Sequence, residues 1–204
     1  MEFDQANRII RTLYAGINPY EVSHDARDLL PAKDPNLGYG EVMPHALHQI
    51  LRDMPAREGA VFYDLGSGTG RTLMLAALLF DFPRLVGIEI VEALHQTALA
   101  ALDRYNHEIR PGLPAAKQQQ TIEFRCADLR TEDFSDADVV FVHATCFRPK
   151  LMEALARQLE RLRPGARVAI TSKVITSSRF ETTRIETYEM DWGATPVLFL
   201  ERRA

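Results

Sequence analysis

Between residues 60 and 171 the chain alternates short apolar runs with helix-length segments, and this alternation restricts the fold more than any other feature. Residues 60–64, 84–90, 121–126, 138–144 and 166–171 read as strands. The fourth is a continuous apolar run, as expected of parallel strands buried on both faces. Helices are predicted over 71–82 and 92–105, and on a segment whose Leu151, Leu155, Leu159 and Leu162 share one face before Pro164-Gly165 ends it. Upstream, a short helix over 3–14 breaks at Asn18-Pro19, a loop covers 31–40, and Pro44 opens a helix running to about Met54. Downstream, residues 183–203 are strand-like around a Trp192-Gly193 turn with no helix between. The expected fold is α/β. It is a Rossmann-like, doubly wound, mostly parallel sheet with a C-terminal antiparallel hairpin and a short helical N-terminal extension. The expected division is residues 1–55 as extension and covering loop, and 56–204 as the ligand-binding domain.

Composition removes several classes of function. A formal net charge of −4 argues against dependence on phosphate contacts along nucleic acid, although 24 Lys and Arg leave room for a local basic patch. The two cysteines, Cys126 and Cys146, lack metal-ligand spacing and read as small core residues of a reducing compartment. His45 and His48 are i, i+3 on a helix with no third ligand in view, so no metal is expected. The N-terminus Met1-Glu-Phe-Asp-Gln is acidic, without the apolar stretch of a signal peptide. The longest apolar run, 73–80, is far short of the ~20 residues of a membrane span, so a soluble cytoplasmic protein with no membrane partner is the default. Oligomeric state is open.

Ligands of a doubly wound sheet sit outside the carboxyl ends of the strands, where strand order reverses. The first strand ends in Asp64-Leu-Gly-Ser-Gly-Thr-Gly70, whose Gly66-x-Gly68-x-Gly70 spacing is one residue tighter than the dinucleotide fingerprint. Alone, such a turn is a weak signal. Three acids strengthen it: Asp64 suits a ligand ammonium, Glu89 at the end of the second strand both hydroxyls of a ribose, and Asp128 after the third an adenine amino group. A pyrophosphate instead wants backbone donors with no carboxylate close by. An acid-lined crevice therefore favours S-adenosylmethionine, which carries a sulfonium, an ammonium and no phosphate, over a nicotinamide cofactor.

These residues resemble the class I S-adenosylmethionine-dependent methyltransferases, with the glycine loop as their first motif and the second acid within Val86-Gly-Ile-Glu-Ile90. The similarity is closest to the "disruptor of telomeric silencing" type, which methylates histone lysine without a SET domain. It rests on Gly38-Tyr-Gly-Glu-Val42, Phe62-Tyr-Asp-Leu-Gly-Ser-Gly, Asp128-Leu129, Val139-Val-Phe-Val142, and Pro164 to Lys173. It covers about residues 36–175, with a looser echo at 192–200. The resemblance implies that Gly66, Ser67, Gly68 and Gly70 line the cofactor backbone with Asp64, Glu89, Asp128 and Leu129. It also implies that Tyr39 and Glu41 close over the methionine end, and that His143 and Phe147 face the transferable methyl. The chain departs from that pattern in three places. The family's two asparagines and two phenylalanines after its fourth strand are His143-Ala-Thr-Cys-Phe147 here, its threonine after Tyr-Gly-Glu is Val42, and its glutamine after the glycine loop is Arg71.

The expected function is N-methylation of a protein lysine or a small-molecule amine by in-line displacement. His143 has a suitable ordinary pKa, near 6.5, for a general base; the alternative is a hydrogen-bonded strand-end histidine that contacts only the cofactor. Phe147, Tyr39 and Trp192 are candidates for a channel that desolvates the acceptor amine, with packing in the terminal hairpin as the alternative for Trp192. The alternative is a non-catalytic S-adenosylmethionine-binding module with a degenerate acceptor site, motivated by the altered 143–147 segment.

Overall fold

A computed structural model describes residues 1–29 and 34–204; residues 30–33, which include the start of the predicted loop, lie outside the described residues. The elements run α1 (Phe3–Leu13), α2 (Pro19–Asp28), α3 (Pro44–Arg52), β1 (Val61–Leu65), α4 (Arg71–Leu79), β2 (Arg84–Glu89) and α5 (Glu92–Arg104). They continue with α6 (Ala115–Gln118), β3 (Thr121–Cys126), β4 (Val139–Val142), α7 (Pro149–Leu159), β5 (Arg167–Thr171), β6 (Phe180–Met190) and β7 (Gly193–Arg202). The seven strands form one sheet in the order β3-β2-β1-β4-β5-β7-β6. β1 to β5 are mutually parallel, and β7 runs antiparallel to both β5 and β6. The fold expected from the alternation is the one observed.

Strand order reverses between β1 and β4, so β1, paired to both β2 and β4, carries its loop to the topological switch point. Alternation along β1 builds a core on each face. Phe62 packs among α1, α3 and α4, whereas Tyr63 and Leu65 pack with Leu155 and Leu159 of α7. α4 is apolar all round because the sheet, α1 and α3 enclose it; Leu73 to Leu78 are all buried. Truncating Phe62, fully buried at the strand centre, to alanine costs about 3–5 kcal/mol.

Several local readings need correction. Asn18-Pro19 does not merely stop α1; it starts α2. The Asn18 side chain accepts from the Tyr20 N–H (3.2 Å), and Pro19 takes the first helical position, where a missing N–H does no harm. The dipeptide that reads as a break is a cap. A π-turn over 105–109, a 3₁₀ turn and the short α6 occupy the stretch before β3. Cys126 is exposed because β3 is an edge strand, and Cys146 is half-buried against Gly38, so neither is a core residue.

Candidate functional site

A cavity of about 300 Å³ opens at the carboxyl ends of β1, β2 and β4. Of the residues expected in the site, Tyr39, Glu41, Asp64, Gly66, Ser67, Gly68, Glu89, Asp128, Leu129, His143 and Phe147 all line it, and Gly70 does not. Gly70 serves packing instead. It takes a left-handed φ of 80° at the start of α4 and lies against Phe124 and Ala98, where a side chain would collide.

The floor of the cavity is held by main-chain bonds. The Gly66 and Ser67 N–H groups both donate to the Ile88 carbonyl (2.8 and 3.0 Å), which ties the loop to the neighbouring strand. Gly68, at φ 55°, passes so close to Tyr39 that a Cβ there would sit 2.8 Å from the ring. Its N–H donates to Glu89 Oε2 (2.8 Å), and the Val91 N–H donates to Oε1 (2.8 Å), so both oxygens of this carboxylate are fixed. Burial pushes the Glu89 pKa up, and these backbone donors pull against that.

Asp64 differs from Glu89. It is 1% exposed, and its Oδ2 has no hydrogen-bond partner among the described residues. Burial, with Glu89 adding repulsion, pushes its pKa up to about 8. A buried, unpaired carboxylate is costly unless something cationic satisfies it. This arrangement fits the ammonium of S-adenosylmethionine. Asp128, more open, is already engaged: Arg130 Nε and the Arg130 N–H both donate to it (2.7 and 2.9 Å), holding its carboxyl below the usual range.

The cover, residues 34–43, is held by side chains. The Tyr39 hydroxyl donates to Glu41 Oε1 (2.8 Å) and lies 3.4 Å from Thr69 Oγ1. Arg71 Nη1 pairs with Glu41 Oε2 at 2.5 Å, while its guanidinium lies 4.8 Å over the Tyr14 ring. The Tyr14 hydroxyl in turn donates to the Thr69 carbonyl (2.9 Å). From the other side, Asp191 accepts from the Tyr20 hydroxyl and from the Glu41 N–H. The departure at Arg71 thus has a structural meaning: it fastens the cover to the start of α4. Tyr14, Tyr20, Thr69 and Asp191 were not legible as site residues. The N-terminal signature of α2 was the one available signal for Tyr20.

His143 stands at the tip of β4 with its ring stacked on Trp192, centroids 4.5 Å apart at 15°. Its Nε2 is buried without a partner among the described residues. Burial drives its pKa down to about 4, against a weaker opposing hydrogen bond with the Gly40 backbone. The expectation of a base near 6.5 is therefore corrected; the ring is a neutral imidazole and a weak base. Phe147 packs over Gly66, and Thr171 Oγ1 accepts from the Ala144 N–H (2.9 Å), fixing the segment between them. Trp192 backs His143 and is absent from the cavity's described lining. No helix among the described residues is long and apolar enough to cross a membrane.

Known proteins agree with this geometry. Residues 22–192 match the family model described as histone methylation protein DOT1. A histone-lysine N-methyltransferase, H3 lysine-79 specific, from Dictyostelium discoideum is 31% identical over 160 residues, which cover 76% of this chain and 8% of that protein. The Eremothecium gossypii protein of the same name is 27% identical over 165 residues, covering 71% of this chain and 26% of its own length. The chain thus corresponds to a small part of these relatives. An RNA methyltransferase from Salinibacter ruber, solved with S-adenosyl-L-homocysteine, matches with a TM-score of 0.60 and 27% identity, covering 80% of this chain and 95% of that one. TrmN from Thermus thermophilus matches with a TM-score of 0.59 at 23% identity, covering 76% of this chain and 48% of that one, and speaks for the fold.

Sheet order, glycine loop and strand-end acids are those of the class I S-adenosylmethionine-dependent methyltransferases. With the family model matching most of its length, the chain belongs to the histone methylation protein DOT1 family. The cytoplasmic default drawn from its N-terminus is overturned by this membership, because the relatives are named for a histone, a chromatin protein.

Proposed function

We propose that the chain transfers a methyl group from S-adenosylmethionine to a lysine amine of a protein. The observation that carries this reading is Asp64, a buried carboxylate with one unpaired oxygen beside a glycine loop, in a member of a histone-methylating family. When bound, the cofactor supplies an electrophilic methyl on a sulfonium, open to in-line displacement. In this reading Asp64 takes the ammonium, Glu89 the ribose, and the Asp128–Leu129 segment the adenine, sharing Asp128 with Arg130. The neighbouring protein named as complexed with S-adenosyl-L-homocysteine supports the same cofactor. Residues 1–55 act as the extension that carries the cover, with Tyr39 and Glu41 latched over the methionine end.

A lysine acceptor must lose its proton, which at pH 7 costs about 4–5 kcal/mol from a pKa of 10.4. Phe147 and Tyr39 line an apolar approach that disfavours the ammonium by desolvation. His143, neutral and buried, offers an unpaired ring nitrogen that orients the amine rather than removing its proton. Positioning is the main contribution, worth up to roughly 7–11 kcal/mol.

The test is transfer of a labelled methyl from S-adenosylmethionine to core histones and to a lysine-rich non-histone protein, followed by mass spectrometry of the modified residue. Label on lysine supports the proposal. Cofactor binding with no label on any protein returns the chain to the non-catalytic reading, and label on small molecules alone rejects the protein acceptor.

A further inference from the structure

β4 ends at Val142, and the chain leaves the sheet carrying His143 and Phe147 to the main cavity. Ala144, between them, is fully buried, so its N–H needs an acceptor from the protein. A side chain supplies it: Thr171 Oγ1, at the end of β5, accepts at 2.9 Å. Thr171 follows Val168, Ala169 and Ile170 on a buried parallel strand, a position that packing alone would give to valine. A hydroxyl there is costly unless bonded, and this bond gives it a reason. The Phe147 N–H then donates back to the Ala144 carbonyl (2.9 Å), a turn that lays Phe147 over Gly66. Ala144 is thus the pivot between the two cavity-lining side chains of the segment.

Ser172 comes next in the chain. Among the described residues it is the one non-glycine residue with a positive φ, 61°, a left-handed conformation that a side chain disfavours. Strain of this kind persists only where the surroundings hold it, and it gathers at functional sites. Two contacts hold Ser172. Its N–H donates to the Pro196 carbonyl (2.8 Å), and its Oγ lies 3.2 Å from Thr145 Oγ1, itself 3.3 Å from Thr171 Oγ1. The β5–β7 ladder ends at the Thr171–Val197 pair, so the Ser172 bond to Pro196 fastens the overhanging hairpin on its β5 side. Ser172 therefore joins the 143–147 segment to the β6–β7 hairpin, whose turn stacks Trp192 on the His143 ring.

We propose that Thr171 and Ser172 are positioning residues for methyl transfer. Through Thr145, their hydroxyls set the 143–147 segment against the hairpin, and with it the His143–Trp192 stack beside the acceptor's place. Neither residue is part of the described lining of the main cavity, so both act through the segment they hold. The effect on transfer rests on the proposed reading of that segment as the acceptor side; the effect on the stack does not.

Trp192 is the chain's one tryptophan, so its fluorescence reads the stack without any turnover. The experiment compares the full wild-type chain with Ser172→Gly, Thr171→Val and Thr171→Ser. It follows acrylamide quenching of Trp192, the thermal midpoint, S-adenosylmethionine affinity by calorimetry, and methyl transfer to core histones. Ser172→Gly keeps the fold, because glycine takes that φ without strain. It is expected to make Trp192 more readily quenched and to lower kcat about fivefold, the weight of one hydrogen bond, at wild-type cofactor affinity. Thr171→Val leaves the Ala144 N–H unpaired, so its midpoint falls as well; Thr171→Ser restores midpoint, quenching and kcat. Wild-type quenching in Ser172→Gly overturns the proposal, as does a cofactor affinity that falls as far as kcat. If wild type labels no protein, the acceptor reading fails, and the quenching of Ser172→Gly still decides whether the joint sets the stack.

Discussion

The floor of the main cavity and its cover are built from different bonds. Gly66, Ser67, Gly68 and Val91 fix the floor through main-chain N–H groups, and Glu89 is clamped by two of them. The cover is fastened by side chains that come from far along the sequence: Arg71 to Glu41, Asp191, itself bonded to Tyr20, to the Glu41 N–H, and the Trp192 ring against Gly40. A floor made of backbone tolerates few changes, because its geometry is the geometry of β1 and β2. A cover made of side-chain contacts can be refitted one residue at a time. The departures from the family pattern at Val42, Arg71 and 143–147 all fall on the cover, on its fastening or on the acceptor side.

The largest effect expected is at the floor. Glu89→Ala removes the carboxylate that orients Gly68 and Val91, and S-adenosylmethionine affinity falls at least about 100-fold by calorimetry. A loss under tenfold would mean that the floor does not depend on this clamp.

Asp64→Asn separates binding from stability. In the folded chain Asp64 titrates near 8, against 3.8 for an ordinary aspartate. The folded state therefore holds that proton more tightly, and the ligand-free protein loses stability as pH rises between those values, with no further loss from this group above 8. The variant should unfold at a higher temperature than wild type at pH 8, by on the order of 2 kcal/mol, and show no such gain at pH 4. A variant no more stable at pH 8 would show that the Asp64 carboxylate is satisfied.

Changes to the cover should be smaller. Arg71→Gln breaks the Glu41 pair and the contact with Tyr14 while leaving the floor in place. Cofactor affinity is expected to drop about fivefold, in keeping with a partly exposed ion pair worth about 1 kcal/mol. A 100-fold loss would place Arg71 with the floor.

Smallest is Trp192→Ala, which frees the His143 ring. With a stacking contact worth about 0.5–1.5 kcal/mol, kcat should fall severalfold at unchanged cofactor affinity. A loss confined to cofactor binding would contradict the separation of the two halves.

The same division explains what was legible in the sequence. The strands of the parallel sheet, the glycine loop and the three acids are local signals: an apolar run, a turn residue, an acid at a strand end. Asp64 and Glu89 were readable because β1 carries an acid one residue before its end and the neighbouring β2 ends on one. Arg71 was visible only as a departure, since its partner Glu41 lies thirty positions upstream and no local rule pairs them. Trp192 reaches His143 through the β6–β7 turn, a contact that depends on sheet order. α2 was hidden by a dipeptide that serves equally as a stop and as a cap. The pKa of His143 follows from burial beneath Trp192 and the cover, so its residue type suggested a base where the packing makes a neutral ring.

The central claim is that the buried Asp64 carboxylate exists to receive the cationic end of S-adenosylmethionine. Calorimetric titration of S-adenosylmethionine into wild-type protein and Asp64→Asn, side by side at pH 7.5, tests it directly. Saturable one-to-one binding to wild type, weakened about 30-fold or more in the variant, is the predicted result, the loss matching a charged hydrogen bond of about 2 kcal/mol. Equal affinity in the two proteins, or no binding to wild type, would contradict it.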